Sequence, residues 1–162
     1  MPESNPPPIS AQERQKRIER IRRLAKQFGF EGTVEYRHVW SGTGGAQYTI
    51  GTGREKDGLA VFAEAFERDA DPEDFSLDAI LAHERGHQLL VRHPRLAPMA
   101  KKISIASDEI LASLIGSLIA AADKDRQVLY YKALFEAVTR GVDLPKAARL
   151  CHELCALLEQ LI

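Results

Sequence analysis

The chain has 162 residues, 44% of them apolar and 28% charged, which is room and composition for one ordinary globular domain and excludes a disordered or fibrous protein. Lysine plus arginine number 22 against 23 aspartate plus glutamate, so the whole chain has no field that would draw a polyanion. Two cysteines are too few for a disulfide scaffold, the uncharged run Ile110 to Ala122 falls short of the roughly 20 residues a bilayer needs, and the N-terminus lacks a secretory signal; the expectation is a cytoplasmic, reduced chain with no membrane partner.

Residues 1–9 carry four prolines and read as a disordered tail ahead of a single domain over residues 10–162. Ser10 and Glu13 have capping-box spacing. Ile18, Ile21, Ala25 and Phe28 then recur at helical spacing until Gly29 stops the run. The opposite face holds Arg14, Lys16, Arg17, Arg20, Arg22, Arg23 and Lys26. Such a face could grip nucleic acid, but the near-neutral whole favours a solvated surface, and no nucleic-acid partner is expected.

Thr33–Trp40, Ala46–Ile50 and Leu59–Ala63 have strand composition, punctuated by glycines 42, 44, 45, 51, 53 and 58. Neither glycine cluster completes a phosphate-binding motif, so they read as turns in a small, mostly antiparallel three-stranded sheet. Beyond Asp71-Pro72-Glu73-Asp74 the pattern becomes helical, at 76–92, 104–122, 124–140 and 144–161. Pro94 and Gly141 close two of these helices and Pro145 opens the last. The fold class is α+β: an N-terminal helix, the sheet, then a helical bundle.

The first helix of that bundle carries His83-Glu84-Arg85-Gly86-His87. Residues i and i+4 of a helix lie one above the other, so both imidazoles can face one ion. Neutral imidazole suits Zn²⁺. Glu84 is about 100° around the helix from His83, close enough to accept a proton from a water on the ion without having to coordinate it. Two partly buried histidines bonded to neighbours are the bland alternative, and the motif's apolar helical context favours the metal.

A catalytic zinc needs a third protein ligand and one open position. His93 has the offset of a third histidine, although Leu90 stands where that arrangement requires glycine. Glu109, on the next helix, is a carboxylate among Ile, Leu, Ala, Ser and Gly and would need a partner if buried. Asp108 is its neighbour, and either acid could instead serve the helix dipole.

With these residues in view, the sequence resembles the gluzincins, and most of all the small ImmA/IrrE-type metallopeptidases. His83, Glu84 and His87 match their H-E-x-x-H, and Leu89 and Leu90 match apolar positions that follow it. Glu109 matches the family's downstream glutamate ligand, followed by Ala112, Leu118 and Ile119. The likeness covers roughly residues 45–122. It departs at Ile110 and Leu111, and at Ser113, where thermolysin-like enzymes have an aspartate. The resemblance implies a zincin-like domain with Zn²⁺ on His83, His87 and Glu109, and Glu84 as catalytic base. It further implies hydrolysis of a protein or peptide substrate, such as a regulator, lying extended against a sheet edge at Leu59–Glu64.

Tyr130, Tyr131, Arg126 and His152 are candidates for stabilising the oxyanion. Cys151 and Cys155 flank His152, yet the surrounding leucines favour buried thiols over a second metal. The apolar C-terminal helix offers a homodimer contact. The rival functional reading is a catalytically silent zinc-binding domain that docks a partner protein.

Overall fold

Ser10 starts the first element as its spacing predicts: its hydroxyl accepts from the Glu13 amide at 3.0 Å, and helix α1 runs Ala11–Gln27. A computed structural model describes residues 5–69, 75–103 and 107–162 of the chain. The expected turn at 71–74, residues 1–4 of the tail and residues 104–106 of the helix predicted at 104–122 lie outside that description. The backbone groups into two compact units, Met1–Leu81 and Ala82–Ile162, and each is taken in turn.

In the first unit α1 is followed by β1 (Thr33–Arg37), β2 (Ala46–Thr49), β3 (Gly58–Phe62) and the short helix α2 (Ala63–Asp69). The strand order is β1-β3-β2. β2 pairs antiparallel with β3, while β1 pairs parallel with it, from Thr33 opposite Gly58 to Arg37 opposite Phe62. The sheet is therefore mixed rather than mostly antiparallel. The long glycine-bearing connection after β1 carries β2 to the far side of β3 instead of folding it back as a hairpin. β3 is consequently the central strand, with both sides already hydrogen-bonded, which overturns Leu59–Glu64 as an edge for an extended peptide. Buried Asp57 fixes the register: its carboxylate accepts from the Gly51 amide and the Tyr48 hydroxyl, both at 2.8 Å, and its carbonyl accepts from the Thr33 amide at 2.9 Å.

The basic face of α1 is partly spent within this unit. Arg17 donates to Glu13 at 3.1 Å and to the Tyr36 hydroxyl at 2.7 Å, and Arg20 reaches Asp78 at 3.4 Å. His38 Nε2 donates to Pro7 O at 2.6 Å, which leaves Nδ1 to accept from the Tyr36 hydroxyl at 2.7 Å. Pro6 is buried, so residues 5–9, which have no regular secondary structure, are anchored at this point. The Ser41 and Gly42 amides donate to the Glu64 carboxylate. Burial pushes that carboxyl's pKa up, but the hydrogen bonds from Ser41 and Gly42 outweigh it and hold the group below its ordinary value. These loop donors serve a side chain of the chain itself.

Helix α3 (Leu77–Arg92) crosses the division between the units and leads to α4 (Leu96–Lys102), α5 (Asp108–Ile119), α6 (Asp123–Thr139) and α7 (Leu144–Leu161). The periodicity does not announce α4, because Pro98 sits inside it. In the first turn of a helix, however, a missing N–H costs little. α5 opens at Asp108, with the Ser107 hydroxyl accepting from the Ile110 amide at 3.4 Å. Asp143 caps α7 through Lys146, with Pro145 in its first turn. The second unit's core is built from Leu90, Leu96, Leu111, Ile115, Ala133 and Leu158. Among the described residues no helix is long and apolar enough to cross a membrane.

Candidate metal centre

Two residue pairs one helical turn apart face each other across α3 and α5: His83 with His87, and Glu109 with Ser113. The contact between the helices is made possible by the small residues between those pairs. A Cβ on Gly86 would overlap Ala112 O and lie 3.0 Å from Ala112 Cα. One turn on, a Cβ on Gly116 would come within 3.2 Å of Ala82 C and His83 N. Glycine in a helix interior costs about 1 kcal/mol relative to alanine. Here it lets backbone approach backbone, and Glu109 thereby reaches the two rings.

His83 Nε2 lies 3.2 Å from Glu109 Oε2, His87 Nε2 lies 3.0 Å from Glu109 Oε1, and the two Nε2 atoms are 3.1 Å apart. Together these three residues form a group whose ligand atoms could hold one ion. Four ligands about 2.0–2.1 Å from a zinc at tetrahedral angles stand roughly 3.3 Å from one another, so the observed separations are of the size such an ion requires. Two imidazoles and a carboxylate are also a donor set that zinc accepts.

The three side chains shift one another's pKa values. Burial holds the His83 imidazole down at about pKa 4, against the upward pull of its hydrogen bond with Glu109. Hydrogen bonds from His83 and His87 keep the Glu109 carboxyl well below the usual carboxylate range, although burial opposes them. At His87 burial again lowers the pKa, but the Glu109 hydrogen bond and the charges of Glu84, Glu109 and Asp108 more than offset it and leave the value raised. Near neutral pH His83 is thus an uncharged donor and Glu109 an anion.

Glu84 is half-buried on α3, and its charge is felt at His87. Glu109 stands in the first turn of α5 with its side chain 49% exposed, so the expectation of a carboxylate buried along a helix gives way to a half-open one bonded by two rings. His93 serves elsewhere: its Nδ1 accepts from the Arg95 and Leu96 amides at 3.2 and 3.3 Å, at the start of α4. Asp108 is exposed and outside the three-residue group. Of the oxyanion candidates, Arg126 donates to Ala120 O at 2.7 Å, Tyr131 is exposed, and Tyr130 lies near Cys151 and Cys155. Burial raises both thiols, which suits packing residues more than metal ligands.

The sequence marks Ser113 only as a departure from an aspartate and gives Gly86 no role of its own. Ser113 Oγ lies 2.9 Å from His83 Nδ1, and both residues are buried. The signal was present: residue 113 falls four after Glu109, on the same face, and a hydroxyl inside an apolar helix needs a partner. No protein-family model matches the chain, and searches of the curated proteins and of the solved structures find no match either.

Proposed function

We propose that this chain is a zinc-dependent metallopeptidase of the gluzincin type, with His83, His87 and Glu109 as metal ligands and Glu84 as catalytic base. The observation that carries the reading is the meeting of three donor atoms from two helices beside a glutamate adjacent to the first ligand. A zinc ion on those residues supplies Lewis acidity, towards a water and towards a peptide carbonyl. The remaining work belongs to the side chains. Glu84 removes a proton from the attacking water as the carbon–oxygen bond forms, then returns it to the amine as the carbon–nitrogen bond breaks. Glu109 contributes negative charge at the ligand set, and Ser113 keeps the His83 ring in place. The substrate class is polypeptide, and the motif's likeness to the ImmA/IrrE type extends this to protein substrates such as regulators.

The test pairs metal analysis with cleavage of a mixed peptide library. Wild type is expected to hold one zinc per chain and to cleave. Glu84→Gln should keep the zinc and lose about 10²–10⁴-fold in rate. Glu109→Ala should lose the zinc, and His93→Ala should keep it. Zinc bound without cleavage, or cleavage unaltered in Glu84→Gln, would replace this reading with that of a silent zinc-binding interaction domain.

A further inference from the structure

His83 is buried among three polar partners, the third being His87 Nε2, 3.1 Å from its own Nε2. Its Nε2 meets the Glu109 carboxylate at 3.2 Å and its Nδ1 meets the Ser113 hydroxyl at 2.9 Å. A neutral imidazole carries one N–H, so one nitrogen donates and the other accepts. With no ion between them, the His87 proton serves Glu109 Oε1 at 3.0 Å and His83 Nε2 faces Oε2, which can only accept, so the His83 proton belongs on Nε2 and Nδ1 must accept from the serine. With an ion bound, the Nε2 lone pair is committed to it, so the proton belongs on Nδ1 and the serine must accept. A hydroxyl meets both demands by rotating, whereas a carboxylate could meet only the second.

Resting on the zinc reading above, we propose that Ser113 is a positioning residue whose rotating hydroxyl lets His83 exchange tautomers as metal enters and leaves. The exchange balances through solvent: the Nε2–H bond breaks, an Nδ1–H bond forms, and the ring keeps one proton throughout. Both forms of the site then have their buried polar atoms satisfied by a neutral ring, which an aspartate at 113 would deny to the metal-free form.

The experiment reads ring tautomers by long-range ¹H–¹⁵N spectra, with zinc affinity from chelator competition, on the full chain stripped of metal and reloaded with zinc. Wild type should show the Nε2–H form of His83 when stripped and the Nδ1–H form when loaded. Ser113→Ala should bind zinc about 10–100-fold more weakly, the usual consequence of losing such a partner, and Ser113→Thr should restore both affinity and exchange. Ser113→Asp should keep a proton on Nδ1 in both the stripped and the loaded chain. A stripped wild type already in the Nδ1–H form, or Ser113→Asp still exchanging tautomers, would overturn the proposal while leaving the metal centre standing. Absence of zinc binding at His83, His87 and Glu109 would instead remove the functional reading on which it rests.

Discussion

Gly86 and Ala112 meet backbone to side-chain position: the place a Cβ on Gly86 would take is already filled by Ala112 O, with Ala112 Cα 3.0 Å away. Because the obstacle is backbone, no rotamer change can relieve it, so α3 and α5 would have to move apart. Gly86→Ala is therefore expected to destabilise the chain by about 1–3 kcal/mol, the usual range for overpacking, despite alanine's better helix propensity. It should also weaken zinc binding by drawing Glu109 away from His83 and His87. Urea unfolding together with chelator competition checks both effects. A variant as stable as wild type with unchanged affinity would show that the helices do not meet this closely.

Glu109→Gln preserves size and removes the charge. His87 would lose the carboxylate that helps hold its pKa above the ordinary value. If Glu109 is the ligand proposed above, zinc affinity should fall by more than the ~10–100-fold typical of an outer partner. Asp108→Asn, one residue away on the exposed side, should leave affinity within a few-fold. Equal losses in the two variants would mean that general negative charge, and not ligation by Glu109, holds the metal.

The residues most legible in the sequence are those whose chemistry is local. H-E-x-x-H announces His83, Glu84 and His87 because its spacing matches the helical repeat, and Ser10, Gly141 and Pro145 mark helix ends through rules of cap and turn. Glu109 could be narrowed to a short set but no further, since joining it to the histidines depends on how α5 meets α3. The parallel pairing of β1 with β3 was hidden for the same reason: strand composition states neither neighbour nor direction. Gly86 and Ser113 carried weaker signals, a glycine within a helix and a hydroxyl among apolar residues, and only the tertiary contact gives each its meaning.

His93 separates the two competing ligand sets. Its Nδ1 accepts from the Arg95 and Leu96 amides, so it serves as a cap for α4, where Arg95 supplies no side-chain hydrogen bond of its own. His93→Ala should cost about 0.5–2 kcal/mol, as for loss of a helix cap, with zinc content unchanged. Loss of stoichiometric zinc in this variant would transfer the third ligand from Glu109 to His93.

The last prediction concerns acid stability once metal has been removed. In the unfolded chain His83 takes up a proton near its ordinary pKa of 6.5, whereas in the folded chain burial delays this to about 4. Between these values the unfolded chain binds the extra proton, so stability is lost as pH falls, by at most about 1.4 kcal/mol per pH unit. His87 has its pKa raised, so its contribution is fully present below 6.5 and disappears only as pH rises through its folded value; it does not mask the His83 slope. Glu109, lowered from 4.5 by the two imidazoles, adds a further loss below that value. Urea midpoints measured in a chelating buffer should therefore fall steadily from pH 6.5 to 4. In His83→Gln, which removes the titrating ring, the upper part of that fall should disappear. A midpoint that stays level across this range in wild type would mean that His83 accepts its proton as readily folded as unfolded, and would refute its burial beside Ser113 and Glu109.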